Sequence, residues 1–188
     1  MKELILGALI TITSASGVND SSYSDSSYND SSYNDSSYND SSLEFLRSES
    51  YCLAENVYFE ARNQPLIGQA AVISVVINRI HDPRFPSTIC EVVKQGLHRQ
   101  GESGVMIPIL YKCQFSWYCD GVSDQIDDPR AFDPILSLAV AVVTGDYVLI
   151  DNTYGATHYH ANYIEPSWAK TKTKTTRIED HIFYRWER

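Results

Sequence analysis

Apolar residues recur at helical spacing in a stretch that begins near Ser48. Ser48 or Ser50 can cap a helix that runs to about Arg62, because a short hydroxyl side chain accepts hydrogen bonds from the first free N–H groups of a helix. Four residues spaced three and four apart form its predicted buried stripe: Ala54, Val57, Tyr58 and Ala61. Glu60 lies roughly 110° around the helix from the centre of this stripe, at the boundary between core and solvent.

Three further helices follow from the same pattern. Residues 63–68 contain Asn, Gln, Pro and Gly, which end the first helix. Nearly every position from Gln69 to Ile80 is apolar, which predicts a helix that is buried on all sides. A capping box at Thr88-x-x-Glu91 predicts a short helix that Gly96 ends. The last helix is predicted from an N-cap at Asp133 and Pro134 to Val143, before Gly145.

After Gly145 the period changes to that of strands. Three short segments rich in β-branched and aromatic residues are predicted strands: Tyr147–Asp151, Ala156–Ala161 and His181–Trp186. The pattern as a whole predicts an α+β domain that is mainly α, with a small β-sheet near the C-terminus.

The first 42 residues differ from the rest. Residues 1–19 combine Lys2, an apolar run and then small residues, which predicts a signal peptide, with an uncleaved signal-anchor or an ordinary chain start as alternatives. Residues 20–42 repeat the pentapeptide DSSYN and offer one Tyr in five to any core. They are therefore predicted to be a disordered linker. The alternative is a ladder of Tyr side chains that binds sugar or self-associates. Residues 43–188 are the predicted folded domain.

The net charge of −9 is unevenly distributed. Five of the acidic residues are the Asp of the repeat, so the folded domain is only mildly acidic. This balance argues against binding to nucleic acid, which requires a basic surface. No apolar run reaches the ~20 residues of a spanning helix, so no stable membrane insertion is predicted.

The chain has four cysteines, all in the predicted domain. An even number after a signal peptide favours two disulfides over reduced thiols, and three pairings are open. We favour a local Cys113–Cys119 loop and a Cys52–Cys90 bond that ties two helices. No CxxC pair is present, which makes zinc binding through cysteine less favourable.

Several motifs resemble one known family. They are CLAENVYFEARNQPLIGQAAVISVVINRI at 52–80, FPSTICEVV at 85–93, CQFSWYCDG at 113–121, THYHANYIEPSWA at 157–169 and HIFYR at 181–185. In this order they resemble the cell-wall hydrolase family of the spore-cortex-lytic enzyme type. The resemblance implies a lysozyme-like fold related to lytic transglycosylases, cleavage of peptidoglycan glycan strands without a cofactor, and Glu60 of the EAR motif as the catalytic acid. Many relatives continue as EARGE, whereas this chain has Gln64 in place of the second carboxylate.

Glu60 also fits this role on physical grounds. Breaking a glycosidic bond requires an acid that is still protonated near neutral pH. Glu60 is two residues from the predicted C-terminal end of its helix, where the macrodipole disfavours a negative charge. Partial burial beside Tyr58 and Phe59 acts in the same direction, and Arg62 opposes both if it turns toward Glu60.

A second carboxylate is not selected by spacing. Glu55 lies about 140° around the helix from Glu60 and should not face the same cleft. The remaining candidates are Asp120, Glu165, Glu179 and Asp180. We therefore favour a single-Glu lytic transglycosylase over a two-carboxylate muramidase.

Aromatic and amide residues are the candidates for sugar binding. Phe115, Trp117, Tyr118, Tyr159, Tyr163 and Trp168 can stack on sugar faces, and about half of them are expected to pack in the core instead. Amide hydrogen bonds to the glycan are predicted from Gln69, Asn78 and Gln114, although Asn78 with Ser74 can equally support the fold.

Two other functions remain open. His158, His160 and His181 supply three imidazoles, which would suit a zinc-dependent amidase. A non-catalytic peptidoglycan-binding module is the other alternative. The main prediction is a monomeric enzyme that is secreted, periplasmic or wall-associated and whose partner is peptidoglycan.

Overall fold

The computed structural model describes residues 40–187, which form a bundle of helices flanked by two small antiparallel sheets. The helices are α1 (Asp40–Ala61), α2 (Leu66–Ile80), α3 (Ile89–Val93) and α4 (Pro129–Thr144), with 3-10 turns at Ser116–Cys119 and Ser167–Thr171. The strands are β1 (Gly96–Gln100), β2 (Met106–Cys113), β3 (His158–Ala161), β4 (Thr173–Ile178) and β5 (His181–Arg185). The predicted signal peptide and residues 20–39 lie outside the described residues.

Helix α1 lies at the centre of the core. It packs along α4 and against α2 and α3, and Leu53 and Val57 are fully buried. The predicted stripe is confirmed, since all four of its residues are buried: Ala54, Val57, Tyr58 and Ala61. Burying a side chain of the size of Leu or Val contributes roughly 1.5–3 kcal/mol, so this stripe fixes the position of the C-terminal turn of α1.

Three helix starts differ from the prediction, and α2 begins at Leu66 instead of Gln69. Helix α1 begins at Asp40, within the predicted linker, and the Ser48 and Ser50 hydroxyls donate to carbonyls of the preceding turn instead of capping it. Helix α4 begins at Pro129, because Asp128 accepts hydrogen bonds from the N–H groups of the first turn and is the N-cap. The Thr88 N-cap is confirmed, with its hydroxyl accepting from the N–H of Glu91.

The three-stranded sheet has the order β3-β5-β4 and is antiparallel throughout. Phe183 of β5 is fully buried. It clusters with Ala71 and Val75 of α2 and with Ala156, which lies just before β3. Strands β3 and β5 lie within the predicted segments. The predicted strand Tyr147–Asp151 is wrong, because this segment is irregular and exposes Val148 by 83%.

The hairpin β1–β2 and strand β4 were not predicted. The hairpin leaves its large apolar side chains exposed, so the sequence shows no buried face with a strand period: Leu97, Met106, Ile107 and Leu110. Strand β4 reads TKTTRI, which is mostly polar and β-branched without an apolar alternation.

Both favoured disulfides are confirmed. Cys52–Cys90 joins α1 to α3, and Cys113–Cys119 closes the loop between the end of β2 and the first 3-10 turn. Within residues 40–187, no helix is long and apolar enough to cross a membrane.

Candidate active site

A cleft of about 700 Å³ lies where the C-terminal end of α1 meets the three-stranded sheet. Its walls come from α1, α2, the loop after β2, strand β3 with the loop after it, and the start of β5. Its lining includes Glu60, Arg62, Arg79, Gln114, Phe115, Trp117, Asp120, His158, Tyr159, His160, Tyr163, Trp168 and His181.

Glu60 occupies the last turn of α1 and faces this cleft. The hydroxyl of Tyr159 donates a hydrogen bond to its Oε2 atom over 3.0 Å. Burial raises the pKa of the Glu60 carboxyl, while the Tyr159 hydrogen bond and the positive charge of Arg79 oppose the rise without cancelling it. The carboxyl group is thus held partly toward its protonated form, as a general acid requires.

Arg62 does not neutralise Glu60. Its guanidinium lies 4.7 Å from the centre of the Tyr58 ring and donates from Nη1 to the Tyr58 carbonyl. The side chain therefore turns away from Glu60, and the opposing effect considered from the sequence is absent at this position.

Tyr159 holds the Glu60 carboxyl in place from the inner face of β3. Burial first, and then the neighbouring Glu60, raise the pKa of Tyr159 well above its usual value, so its hydroxyl remains a donor at every pH of interest. Its ring packs 5.0 Å from the His181 ring and 5.6 Å from that of Phe183. This packing fixes the direction of the hydrogen bond to Glu60.

The predicted aromatic residues fall into two groups. Phe115 and Trp117 are 3% and 8% exposed, and the Trp117 indole stacks on Phe59 at 4.7 Å and donates to the side-chain oxygen of the buried Asn56. They form the wall and part of the core. Tyr163, 82% exposed, and the partly exposed Trp168 present their rings at the cleft surface.

Among the predicted amides, only Gln114 lies in the cleft, where it is exposed. Gln69 donates to the Gln64 carbonyl, outside the cleft. Asn78 donates to Asp151, Thr153 and Ala156, which secures the approach to β3. The sequence-based placement of Gln69 and Asn78 in the cleft is wrong, because both side chains face loops that pack on α2.

Tyr118 also lies outside the cleft lining. Its ring lies 6.1 Å from the His98 ring, so it packs on the hairpin instead.

Gln64, the last residue of the EARNQ segment, holds two parts of the fold together. It is buried, and its Nε2 donates to Oδ2 of Asp180 while its Oε1 accepts from the Asp180 N–H. It therefore ties the α1–α2 loop to the turn between β4 and β5. The amide suits this position because a carboxylate at 64 would face the carboxylate of Asp180.

Asp120 is the one other carboxylate that lines the cleft within residues 40–187. Its Oδ1 accepts from the Val122 N–H at 2.7 Å. The other sequence candidates, Glu165, Glu179 and Asp180, lie outside the lining, as does Glu55 on the far side of α1.

The three histidines do not share a face of the sheet. The register pairs His158 with Tyr184 and Ala161 with His181, and residues alternate between faces along a strand. His158 and His160 therefore lie on one face and His181 on the other. Both ring nitrogens of His160 have partners, the Ala161 carbonyl and the Tyr184 hydroxyl. In the part of the chain described, no three His, Cys, Asp or Glu side chains are grouped to hold a metal ion.

Arg79 is a cleft residue that the sequence analysis missed. It is 4% exposed, and burial lowers its pKa to about 10, which leaves it cationic at neutral pH. A signal was available: a helix that is apolar all round has no solvent face, so a charged residue in its last turn is necessarily close to the core.

The fold and the site together define a class of protein. It is a lysozyme-like domain in which a half-buried glutamic acid lies in an open cleft with aromatic walls. The chain belongs to the cell wall hydrolase family, whose sequence profile matches residues 63–184. Glu60 and all of α1 precede the matched range.

Curated relatives agree with this membership. The chain is 30% identical over 132 residues to the spore cortex-lytic enzyme of Halalkalibacterium halodurans, an alignment that covers 70% of this chain and 33% of that protein. It is 38% identical over 53 residues to the spore cortex-lytic enzyme of Bacillus subtilis, covering 28% of this chain and 17% of that protein. The chain thus spans about a third or less of the length of the curated relatives it matches.

A solved structure confirms the fold. The catalytic domain of the germination-specific lytic transglycosylase SleB from Bacillus anthracis superposes with a TM-score of 0.50 at 23% identity, over 73% of this chain and 93% of that chain. The predicted α+β, mainly helical, lysozyme-like architecture is therefore confirmed.

Proposed function

We propose that this chain cleaves the glycan strands of peptidoglycan as a lytic transglycosylase, with Glu60 as the catalytic acid and base. The observation that carries the proposal is a carboxyl group with a raised pKa, oriented by Tyr159, at the wall of an open cleft. Family membership and the names of the relatives, which include a lytic transglycosylase, support the choice of substrate.

In the proposed first step, protonated Glu60 donates its proton to the glycosidic oxygen. The bond between that oxygen and C1 of muramic acid breaks, and its electron pair stays with the leaving oxygen. In the second step the sugar's own 6-hydroxyl bonds to C1 while its proton passes to the Glu60 carboxylate. The product carries a 1,6-anhydromuramic end, and Glu60 is protonated again.

The scarcity of carboxylates favours this route over hydrolysis. A hydrolase of the two-carboxylate kind needs a second group to activate water or to attack C1. In the described cleft only Asp120 is available, and its Oδ1 is already engaged by a backbone N–H of its own loop. A single Glu that acts twice needs no such partner.

We further infer that the enzyme works as a monomer on the wall side of the cell membrane. Two disulfides support an oxidising compartment, which agrees with the predicted signal peptide. Gln114, Tyr163 and Trp168 are the exposed cleft residues best placed to contact the sugars, with Phe115, Trp117 and Tyr159 behind them.

The products of digestion test the proposal. Purified sacculi incubated with the protein are expected to release muropeptides with 1,6-anhydromuramic ends, identified by mass spectrometry as species one water lighter than the hydrolysis products. Products that carry only reducing ends would show that the protein is a hydrolase and not a transglycosylase. Free peptide stems without glycan cleavage would contradict the proposal altogether.

Tyr159→Phe is expected to move the pH profile of cleavage. The Tyr159 hydrogen bond stabilises the Glu60 carboxylate and so lowers its pKa, and removing it raises that pKa further. Because the acid must be protonated, the alkaline limb of kcat against pH should shift to higher pH. Tyr163→Phe, which removes a hydroxyl from the same cleft, should leave the limb in place. A shift to lower pH in Tyr159→Phe would contradict the assignment.

A further inference from the structure

Arg79 is a buried cation that forms no ion pair with any carboxylate of residues 40–187. Its Nε donates to the Thr157 carbonyl at 2.8 Å, and its guanidinium lies between the Phe115 and Phe85 rings, at 4.9 and 5.2 Å from their centres. Its Nη1 is buried and makes no hydrogen bond within residues 40–187, and no carboxylate there lies within 4.0 Å of the guanidinium. Charges this deeply buried are normally paired, because the loss of hydration is otherwise uncompensated.

Two further cations, Lys172 and Arg84, lie close enough to lower the pKa of a lining residue beside Arg79. His158, the neighbouring lining residue, has its pKa lowered to about 3, first by burial and then by the charges of Arg79, Lys172 and Arg84. It is therefore neutral, and its Nδ1 lies 2.9 Å from the Thr157 hydroxyl. Its Nε2 makes no hydrogen bond to any residue from 40 to 187. Lys172 lies 5.6 Å from the centre of the Trp168 ring, at the same end of the cleft.

Glu60 does not supply the missing partner. The two side chains interact across the cleft, since each appears among the charges that shift the other's pKa, but they form no ion pair. Moreover, Glu60 must be protonated in the proposed first step, and a protonated Glu cannot neutralise Arg79. An anion from the substrate would meet this need.

We propose that Arg79 and His158 form a subsite for a carboxylate carried by the substituent of muramic acid. This inference rests on the proposed function. Muramic acid bears a lactyl group at C3 whose carboxyl is either free or joined to a peptide stem that has carboxylates of its own. N-acetylglucosamine has no such group, so a carboxylate subsite would fix which sugar lies on which side of Glu60.

The wild-type protein tests this with three strands prepared from one batch of sacculi. The first keeps its peptide stems, the second is denuded by an amidase and carries free lactyl carboxylates, and the third is denuded and then converted to the neutral methylamide. We expect kcat/KM on the neutral strands to be at least tenfold below that on the better charged substrate. The preferred charged strand identifies the carboxylate as lactyl or peptidic.

Two failures are distinguishable in this experiment. Equal kcat/KM on all three strands would overturn the carboxylate subsite and leave glycan cleavage intact. No cleavage of any strand would overturn the proposed function itself.

Arg79→Lys then separates binding from a structural role. It keeps the charge but loses the guanidinium donors, so KM for the preferred charged strand should rise about tenfold, while cleavage of the neutral strand changes less than twofold. Arg62→Lys, at an exposed arginine of the same cleft, should change charged and neutral strands by the same factor. An equal loss on every strand in Arg79→Lys would overturn the proposal.

A competition measurement on the wild type covers the case in which Arg79→Lys does not fold. N-acetylmuramic acid should inhibit cleavage of the charged strand at a concentration at least tenfold below that of its methyl ester, which has the same shape without the charge. Equal inhibition by the acid and the ester would overturn the subsite.

Discussion

Glu60→Gln is expected to lower the rate of glycan cleavage by roughly 10²–10⁴-fold, the usual contribution of a positioned general acid. Glutamine has nearly the same shape and can still accept the Tyr159 hydrogen bond, but it has no proton to give to the glycosidic oxygen. The loss should appear in kcat with KM nearly unchanged, because the substrate contacts remain. The measurement is the release of soluble muropeptides from sacculi at several substrate concentrations.

Glu55→Gln is the matched control for this variant. Glu55 lies on the same helix and is half-buried, and burial raises its pKa as well, but it does not line the cleft. A carboxyl whose folded pKa is raised costs stability once the pH exceeds its unfolded pKa of about 4.3. Both variants should therefore be at least as stable as the wild type at neutral pH, with the gain vanishing below that pKa. Only Glu60→Gln should lose activity, and equal losses in the two variants would refute the assignment.

The sequence predicted the part of the fold that burial controls. The stripe of α1 and the all-apolar α2 are visible because buried positions must be apolar at helical spacing. The start of α1 is not visible, because residues 40–48 are mostly exposed and form no buried stripe. The hairpin β1–β2 was missed for the same reason, since its apolar residues face outward.

The sequence predicted which kinds of residue form the site better than it predicted which side chains contact one another. Glu60 comes from one motif and Tyr159 and Trp168 from another about 100 residues further along the chain, and the fold brings all three to one cleft. Gln69 and Asn78 were misplaced, because a helix buried on all sides gives no indication of which neighbour each face meets. The sequence indicates that Arg79 is close to the core but not that it lines the cleft. Its role depends on Phe115 and His158, which lie 36 and 79 positions further along the chain.

Of the two disulfides, Cys52–Cys90 is expected to cause the larger loss of stability when it is removed. Its bond closes a loop of 38 residues, for which chain entropy predicts about 4 kcal/mol of stabilisation, against about 2 kcal/mol for the 6-residue separation of Cys113–Cys119. Urea unfolding of the Cys52→Ala/Cys90→Ala and Cys113→Ala/Cys119→Ala variants should show midpoints in this order, both below that of the wild type. A larger destabilisation from the short loop would contradict this reasoning.

The order should reverse when activity is measured. Cys113–Cys119 closes the loop that carries Gln114, Phe115 and Trp117 of the cleft wall, so its loss should displace these side chains and lower kcat/KM by about tenfold in protein that is still folded. Cys52–Cys90 joins α1 to α3 and does not line the cleft, so the surviving folded fraction of its variant should cleave at nearly the wild-type rate. If the two variants lose activity in proportion to stability alone, the short disulfide has no role in holding the cleft wall.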